Sequence, residues 1–100
     1  MEQVSYQRDA QGVYHLEGEL GFQSVPVLQK EIKQDIDFSS SLSIDFSAVT
    51  QANSAILALM IEWMREVKQN NGRIVYLNVP DNVLAVASAY GIDQDLPTSS

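Results

Sequence analysis

The stretch Asp45–Trp63, DFSAVTQANSAILALMIEW, carries the strongest structural signal in the chain. It starts within an alternating run, Leu42–Phe46, in which every second residue is apolar, as in a strand with one buried face. A polar break, Gln51–Ser54, follows, and then a long segment with apolar residues at helical spacing. The stretch therefore predicts a strand, a short junction and an amphipathic helix in direct succession.

The rest of the chain shows the same alternation of strand and helix patterns on both sides of that unit. Strands are indicated by period-two alternation and β-branched runs, and helices by apolar residues three and four apart between capping residues. The predicted elements are two strands within Ser5–Leu20 around a turn at Asp9–Gly12, a helix at Val25–Gln34 capped by Ser24, a strand at Leu42–Phe46, a long helix ending at Asn70–Gly72, a strand at Arg73–Val79, and a helix at Asn82–Tyr90 capped by Asp81.

The predicted order is β-β-α-β-α-β-α. Strands that alternate with helices imply parallel crossovers, and the opening pair adds an antiparallel edge. We therefore expect an α/β fold with a mixed, mostly parallel sheet of about four strands, packed with three or more helices. The length of 100 residues fits a single domain, residues 1–100, with a tail that frays after Pro97.

Composition excludes several classes of site and partner. The chain has no cysteine, so disulfides, thiolate metal sites and thiol catalysis are ruled out. Its net charge is −7, which argues against nucleic acid and against anionic lipid as partners. The longest apolar run, Ala55–Ile61, is too short to span a bilayer, and no signal peptide is visible, so we expect a cytoplasmic protein without direct membrane insertion. The acidity either maintains solubility or attracts a basic partner.

The long helix has more apolar surface than packing on a sheet requires. Its apolar side chains fill an arc of roughly 200°, whereas a stripe of little more than 100° is sufficient. Two interpretations follow. Either the whole arc is buried between the sheet and the neighbouring helices, or one edge stays exposed as a docking patch anchored by Leu59 and Trp63. A homodimer through this apolar patch is a further expectation.

The junction before the long helix places polar side chains where backbone N–H groups need partners. Asn53 or Ser54 suits the role of N-cap. A helix N-terminus also stabilises negative charge, so a phosphate on Ser54 would be tolerated there.

Residues Ser43–Leu57 resemble the strand–loop–helix signature of STAS domains (sulphate transporter and anti-sigma factor antagonist). Asp45, Ser47 and Val49 match in register, and Ser54 occupies the hydroxyl position that is phosphorylated in the antagonist branch. The resemblance extends through nearly the whole chain, to Gly18–Leu20, Asn70–Gly72 and Tyr90–Ile92. The departures are Asn53 in place of the family aspartate, Ala55 in place of serine or glycine, and Ile56 in place of glycine.

Within the family, the size, the acidic charge and the closing segment Ala89–Pro97 resemble the small accessory subunits of phospholipid-transporting ABC complexes. This resemblance implies a non-catalytic subunit without cofactor, which binds the transporter's ATPase subunit and lies at the inner membrane only through that complex. The implied partner-binding residues are Asn53, Ser54, Leu59, Trp63 and Tyr90. The alternative is an anti-sigma factor antagonist regulated by phosphorylation of Ser54, which the missing aspartate at Asn53 disfavours.

The residues themselves do not indicate catalysis or a metal site. His15 is the only histidine and shares a strand face with Glu17, and no pattern links it to Ser54 or Asp45 in a catalytic set. Glu31 and Asp35 are like charges four apart on a helix, typical of a solvated face. Glycine-rich phosphate loops and metal-ligand spacing are absent from the sequence. We expect a protein that is not an enzyme.

Overall fold

The structure, a computed structural model, describes residues 4–99. Over that range the predicted elements are present in the predicted order, with a 3₁₀ turn and a short strand added at the end. The elements are β1 (Val4–Arg8), β2 (Val13–Leu20), α1 (Ser24–Lys33), β3 (Ser41–Ala52), α2 (Ala55–Gln69), β4 (Arg73–Leu77), α3 (Asp81–Ala89), the 3₁₀ turn Asp93–Asp95 and β5 (Thr98–Ser99).

The strands form one mixed sheet in the order β1-β2-β3-β4-β5. β1 and β2 are antiparallel, whereas the pairs β2–β3, β3–β4 and β4–β5 are parallel. The α/β class and the mostly parallel sheet are therefore confirmed, with five strands among residues 4–99 in place of about four.

The fifth strand corrects the expectation that the tail frays after Pro97. Leu96 is buried in the core and fixes the end of the chain against the sheet. The Tyr76 N–H then donates to the Pro97 carbonyl oxygen at 2.8 Å, and Tyr76 pairs in register with Thr98. One buried leucine in an otherwise polar segment is thus enough to add an edge strand.

β3 is the other element whose extent differs from the prediction. It continues past Phe46 as far as Ala52, paired with β2 through two register shifts. Most side chains of Ser47–Ala52 are exposed, so this part of the strand lacks the alternation that marked Leu42–Phe46. The extension carries the chain beyond the covered part of the sheet to the start of α2.

The helices cover one face of the sheet. From β2 to β5, each new parallel strand pairs with the one before it and extends the sheet towards the same edge. Right-handed crossovers therefore place α1, α2 and α3 on the same face of the sheet. Burial agrees, because alternate strand residues are buried while their neighbours are only partly covered. The largest fully buried side chains on this side are Leu16, Leu20, Leu28, Ile32, Ile44, Phe46, Ile56, Met60, Tyr76 and Val83.

Two predicted helix caps have a different role in the structure. Ser24 lies inside the first turn of α1, where its hydroxyl donates to the Glu19 carbonyl at 2.6 Å and accepts the Gly21 N–H at 2.9 Å. It therefore joins the end of β2 to α1 instead of capping. Asp81 is the first residue of α3 and its side chain makes no capping bond, since Pro80 precedes the helix and its carbonyl accepts the first N–H groups.

The predicted end of α2 at Asn70–Gly72 is confirmed. Asn71 adopts a left-handed conformation (φ 62°), and the Gly72 N–H donates to the Val67 carbonyl at 2.7 Å. A Cβ at position 72 would lie 2.0 Å from the Phe38 carbonyl oxygen. Glycine is required here because the backbone of the preceding loop passes too close for any side chain.

Candidate partner-binding site

Three strand-to-helix turns lie at one edge of the sheet, because β2, β3 and β4 are parallel and end there. Hydrogen bonds hold these turns together. The Asn53 N–H donates to the Leu20 carbonyl at 3.0 Å, and the Asn82 side-chain amide donates to the Ala52 carbonyl at 2.5 Å. The junction before α2 is therefore fixed to the end of β2 on one side and to the start of α3 on the other.

Asn53, not Ser54, caps the first turn of α2. Its Oδ1 accepts the Ala55 N–H at 2.9 Å, and its carbonyl accepts the Ile56 N–H. Ser54 already has helical backbone angles (φ −63°, ψ −14°), whereas a residue whose side chain caps a helix usually has extended ones. The Ser54 side chain is exposed and makes no capping bond, so among residues 4–99 its hydroxyl is not used to hold the fold.

An exposed line of residues runs along α2 from Ser54. Ala58, Ile61 and Arg65 follow at helical spacing on the side turned away from the sheet, and all four residues are exposed. Ile61 keeps 38% of its area accessible. We call Ser54, Ala58, Ile61 and Arg65 the α2 outer stripe.

The exposure predicted for Leu59 and Trp63 is wrong. They retain 3% and 2% of their accessible area, and both belong to the core. The centroid of the Trp63 ring lies 6.4 Å from that of Tyr76 on β4. The arc on α2 is wide because its centre packs on the sheet while α1 covers the flank that contains Trp63. The monomer therefore offers no exposed surface at Leu59 and Trp63 through which the expected homodimer could form.

Tyr90 is exposed, as expected for a residue that contacts a partner, but it is not beside Ser54. It ends α3 and keeps 73% of its area accessible. α3 starts next to the junction, through Asn82, and Tyr90 follows eight residues later, about 12 Å along the axis. One partner surface of ordinary size, about 800 Å², could span both.

The exposed Phe22 was missed by the sequence analysis. It lies in the turn between β2 and α1, at the same edge as Ser54, and is 70% accessible. Periodicity gave no signal for it, because Phe22 precedes Val25 by the same three residues that separate Val25 from Leu28, yet it lies in the turn before α1 begins.

A polar cluster around His15 lies on the sheet face opposite the helices. The His15 Nε2 is 2.8 Å from Asp9 Oδ2, and the His15 Nδ1 is 3.3 Å from Asp45 Oδ2. The hydrogen bond from His15 lowers the pKa of Asp9. Sequence reasoning found no link between His15 and Asp45, because the contact depends on the pairing of β2 with β3, where the two residues are register partners.

Asp35 also has a partner that was not expected. Its carboxylate accepts a hydrogen bond from the Tyr6 hydroxyl, which raises the pKa of Tyr6 to about 12. The contact joins β1 to the segment after α1. Asp35 is therefore a structural residue.

Other types of site find no support in the part of the chain that is described. Residues 4–99 contain no group of three or more histidine or carboxylate side chains arranged to hold a metal ion. None of the helices in that range has the length and apolarity that crossing a membrane requires.

Comparison with known families bears on this arrangement of strand, junction and helix. A sequence model described as "Mlab, STAS domain" matches residues 4–98. The chain belongs to the STAS family. The match covers the whole fold, including the junction at Asn53–Ser54 and the α2 outer stripe. None of the curated proteins matches this STAS domain.

Solved structures share the fold. The anti-sigma factor antagonist SpoIIAA in its unphosphorylated form is 21% identical with a TM-score of 0.65, over 100% of this chain and 89% of that one. A STAS domain protein from Planctomyces limnophilus is 18% identical with a TM-score of 0.70, over 100% and 91%. A STAS domain from Rhodobacter sphaeroides is 16% identical with a TM-score of 0.51, over 76% and 85%. Identities this low show the fold alone.

Proposed function

We propose that this STAS domain is a non-catalytic accessory subunit that binds and supports the ATPase subunit, of the MlaF type, in a Mla-type phospholipid ABC transporter. It would act in the cytoplasm, peripheral to the inner membrane through the complex, and contribute to outer-membrane lipid asymmetry. The family model that matches is described as "Mlab, STAS domain", which supports the proposal. The proposed domain spans residues 1–100.

The observation that carries the proposal is the α2 outer stripe. It begins at Ser54, whose hydroxyl the fold leaves accessible, and continues through exposed Ala58 and Ile61. Small and apolar side chains exposed in a row along a helix allow a partner to approach closely and bury apolar area. The turn at Asn53 and the end of α3 at Tyr90 extend this surface on either side. Leu59 and Trp63 would support it from beneath without direct contact.

The test is the affinity of the purified protein for the purified ATPase subunit of its own transporter. Ile61→Asp places a charge in the centre of the proposed interface and is expected to weaken binding by about 2 kcal/mol, roughly 30-fold in Kd. Val27→Asp is the matched control, because Val27 is also an exposed apolar residue, 49% accessible, but lies on α1. Unchanged affinity in Ile61→Asp, or equal losses in both variants, would show that the stripe is not the interface.

The second candidate function is an anti-sigma factor antagonist that is switched by a phosphate on Ser54. It is favoured by one observation, the accessible Ser54 hydroxyl at the start of a 15-residue helix, where added negative charge is stabilised. Against it, the neighbouring family aspartate is replaced by Asn53, whose side chain is engaged in capping. In this function Ser54→Asp would release the partner and Ser54→Ala would bind constitutively. Normal binding by Ser54→Asp would count against the switch.

A further inference from the structure

A chain of polar contacts crosses the sheet face that the helices leave open. His15 on β2 contacts Asp9 in the β1–β2 turn and Asp45 on β3, at 2.8 and 3.3 Å. Asp45 in turn accepts a hydrogen bond of 3.1 Å from the Asn78 side chain, just after β4. One imidazole thus connects the first turn of the chain to the central strand.

The two contacts of His15 differ in kind, because Nε2 is hydrogen-bonded to Asp9 at 2.8 Å whereas Nδ1 and Asp45 Oδ2 form an ion pair at 3.3 Å. Ionised carboxylates only accept hydrogen bonds, and a neutral imidazole carries one N–H and one lone pair. Only the imidazolium ion both donates to Asp9 and carries the positive charge that attracts Asp45. A neutral ring that keeps its proton on Nε2 retains the hydrogen bond to Asp9 but loses the charge that attracts Asp45.

We propose that His15 is a proton-operated clamp of the open sheet face: as an imidazolium it holds the β1–β2 turn against β3, and loss of its proton releases one of the two carboxylates. This inference does not depend on the partner proposed above, because it concerns residues on the opposite side of the sheet from the helices.

Asp45 is the carboxylate that deprotonation releases. Its contact with His15 is the longer of the two, at 3.3 Å, so a neutral ring keeps its remaining proton on the Asp9 side. Asp45 Oδ1 stays bonded to the Ser47 N–H at 2.8 Å and to the Asn78 amide. The release of Asp45 from His15 is therefore felt at Ser47, the start of the β3 extension, and at Asn78, in the connection between β4 and α3.

The surroundings of His15 favour the charged form. Asp9 in the preceding turn, Asp45 on β3 and Glu17 on β2 face it with negative charge, and its register partner on β1, Gln7, is uncharged. The hydrogen bond to Asp9 raises the pKa of His15 above 6.5, against the opposing effect of partial desolvation. Since the pKa is higher in the folded state, the clamp stabilises the protein fully below pH 6.5, and this contribution is lost as pH rises through the folded-state value.

The test is an NMR titration of the imidazole, which reports one site because His15 is the only histidine. Between about pH 4.5 and about pH 9, we expect a midpoint above 6.5, with the amide resonances of Ser47 and Asn78 following the same midpoint. Asp9→Asn and Asp45→Asn should each lower the midpoint. Asp95→Asn is the control, because that carboxylate lies in the 3₁₀ turn after α3, and it should leave the midpoint unchanged.

Three results would overturn the clamp. A wild-type midpoint at or below 6.5 would show that the carboxylates do not hold the proton. A midpoint that neither Asp9→Asn nor Asp45→Asn lowers would show that the contacts do not form in solution. A raised midpoint that the amide resonances of Ser47 and Asn78 do not follow would show that His15 holds its proton but that deprotonation does not release Asp45. If Asp45→Asn fails to fold, the exposed-turn variant Asp9→Asn and the wild-type amide shifts still decide the question.

Discussion

The Tyr76 hydroxyl donates a hydrogen bond of 2.6 Å to the main-chain carbonyl of Met60, which joins β4 to the middle of α2. Both residues are fully buried. Burial raises the pKa of Tyr76 far above its usual range, so the hydroxyl keeps its proton at any working pH. The bond fixes how α2, and with it the α2 outer stripe, is seated on the sheet.

Tyr76→Phe should remove this bond and little else. The Met60 carbonyl keeps its partner within the helix, so no acceptor is left without a bond. We expect the free energy of unfolding to fall by about 1 kcal/mol, as measured by urea denaturation with unchanged m-value. A loss of several kcal/mol, or a changed m-value, would show that the hydroxyl does more than join two elements.

Trp63→Ala should destabilise the isolated protein instead of selectively weakening partner binding. The side chain is buried against Tyr76, and truncation leaves a cavity that costs about 3–5 kcal/mol. Thermal unfolding of the monomer is the measurement, with Trp63→Phe as the control that retains most of the packing. If the Trp63→Ala protein melts like wild type but no longer binds the ATPase, Trp63 contacts the partner and is not a core residue.

Substitution by alanine should affect stability more at Asn53 than at Ser54. Asn53→Ala removes the side chain that accepts the Ala55 N–H and should cost about 1 kcal/mol of stability. Ser54→Ala removes a hydroxyl that makes no capping bond and should change stability by less than about 0.5 kcal/mol. Chemical denaturation of both variants checks the pair, and reversed magnitudes would mean that Ser54 caps the helix in solution.

Stability should also fall at acid pH. Three aspartates have pKa values below the ordinary 3.8, so they stabilise the folded state above that pH and the contribution is lost as pH falls through their folded-state values. Together with His15, this gives maximal stability between about pH 4 and 6.5. Thermal melts at pH values within and on both sides of this range test the predicted maximum in stability. A stability that keeps rising above pH 6.5 would contradict it. The three are Asp9, bonded to His15, Asp37, bonded to Ser39, and Asp45, in which hydrogen bonds from Ser47 and Asn78 outweigh desolvation.

Local patterns were sufficient to predict the elements and their order. Leu42, Ile44 and Phe46 alternate, and Val25, Leu28 and Ile32 repeat at helical spacing, because each set faces the same core. The extension of β3 and the strand Thr98–Ser99 were not predictable in this way. Their backbone pairing is set by neighbours distant in sequence, and their side chains carry no period.

The site was predicted less completely than the fold. The position of the junction was evident from Asn53 and Ser54, but which of them caps depends on backbone angles that the sequence does not specify. Periodicity defined the apolar arc of α2 but not which flank α1 covers, so Trp63 was a candidate for an exposed edge. The pairing of His15 with Asp45 depends on strand register, which a single sequence leaves open.

The location of the three turns at one edge of the sheet has a consequence for how such a domain diversifies. Phe22, Ser54 and Asn78 are far apart in the chain, yet each belongs to a turn whose replacement leaves the buried strands and helix faces intact. Descendants of this protein could therefore acquire new binding specificity through changes in a few turn residues, while the core that determines their folding is inherited unchanged.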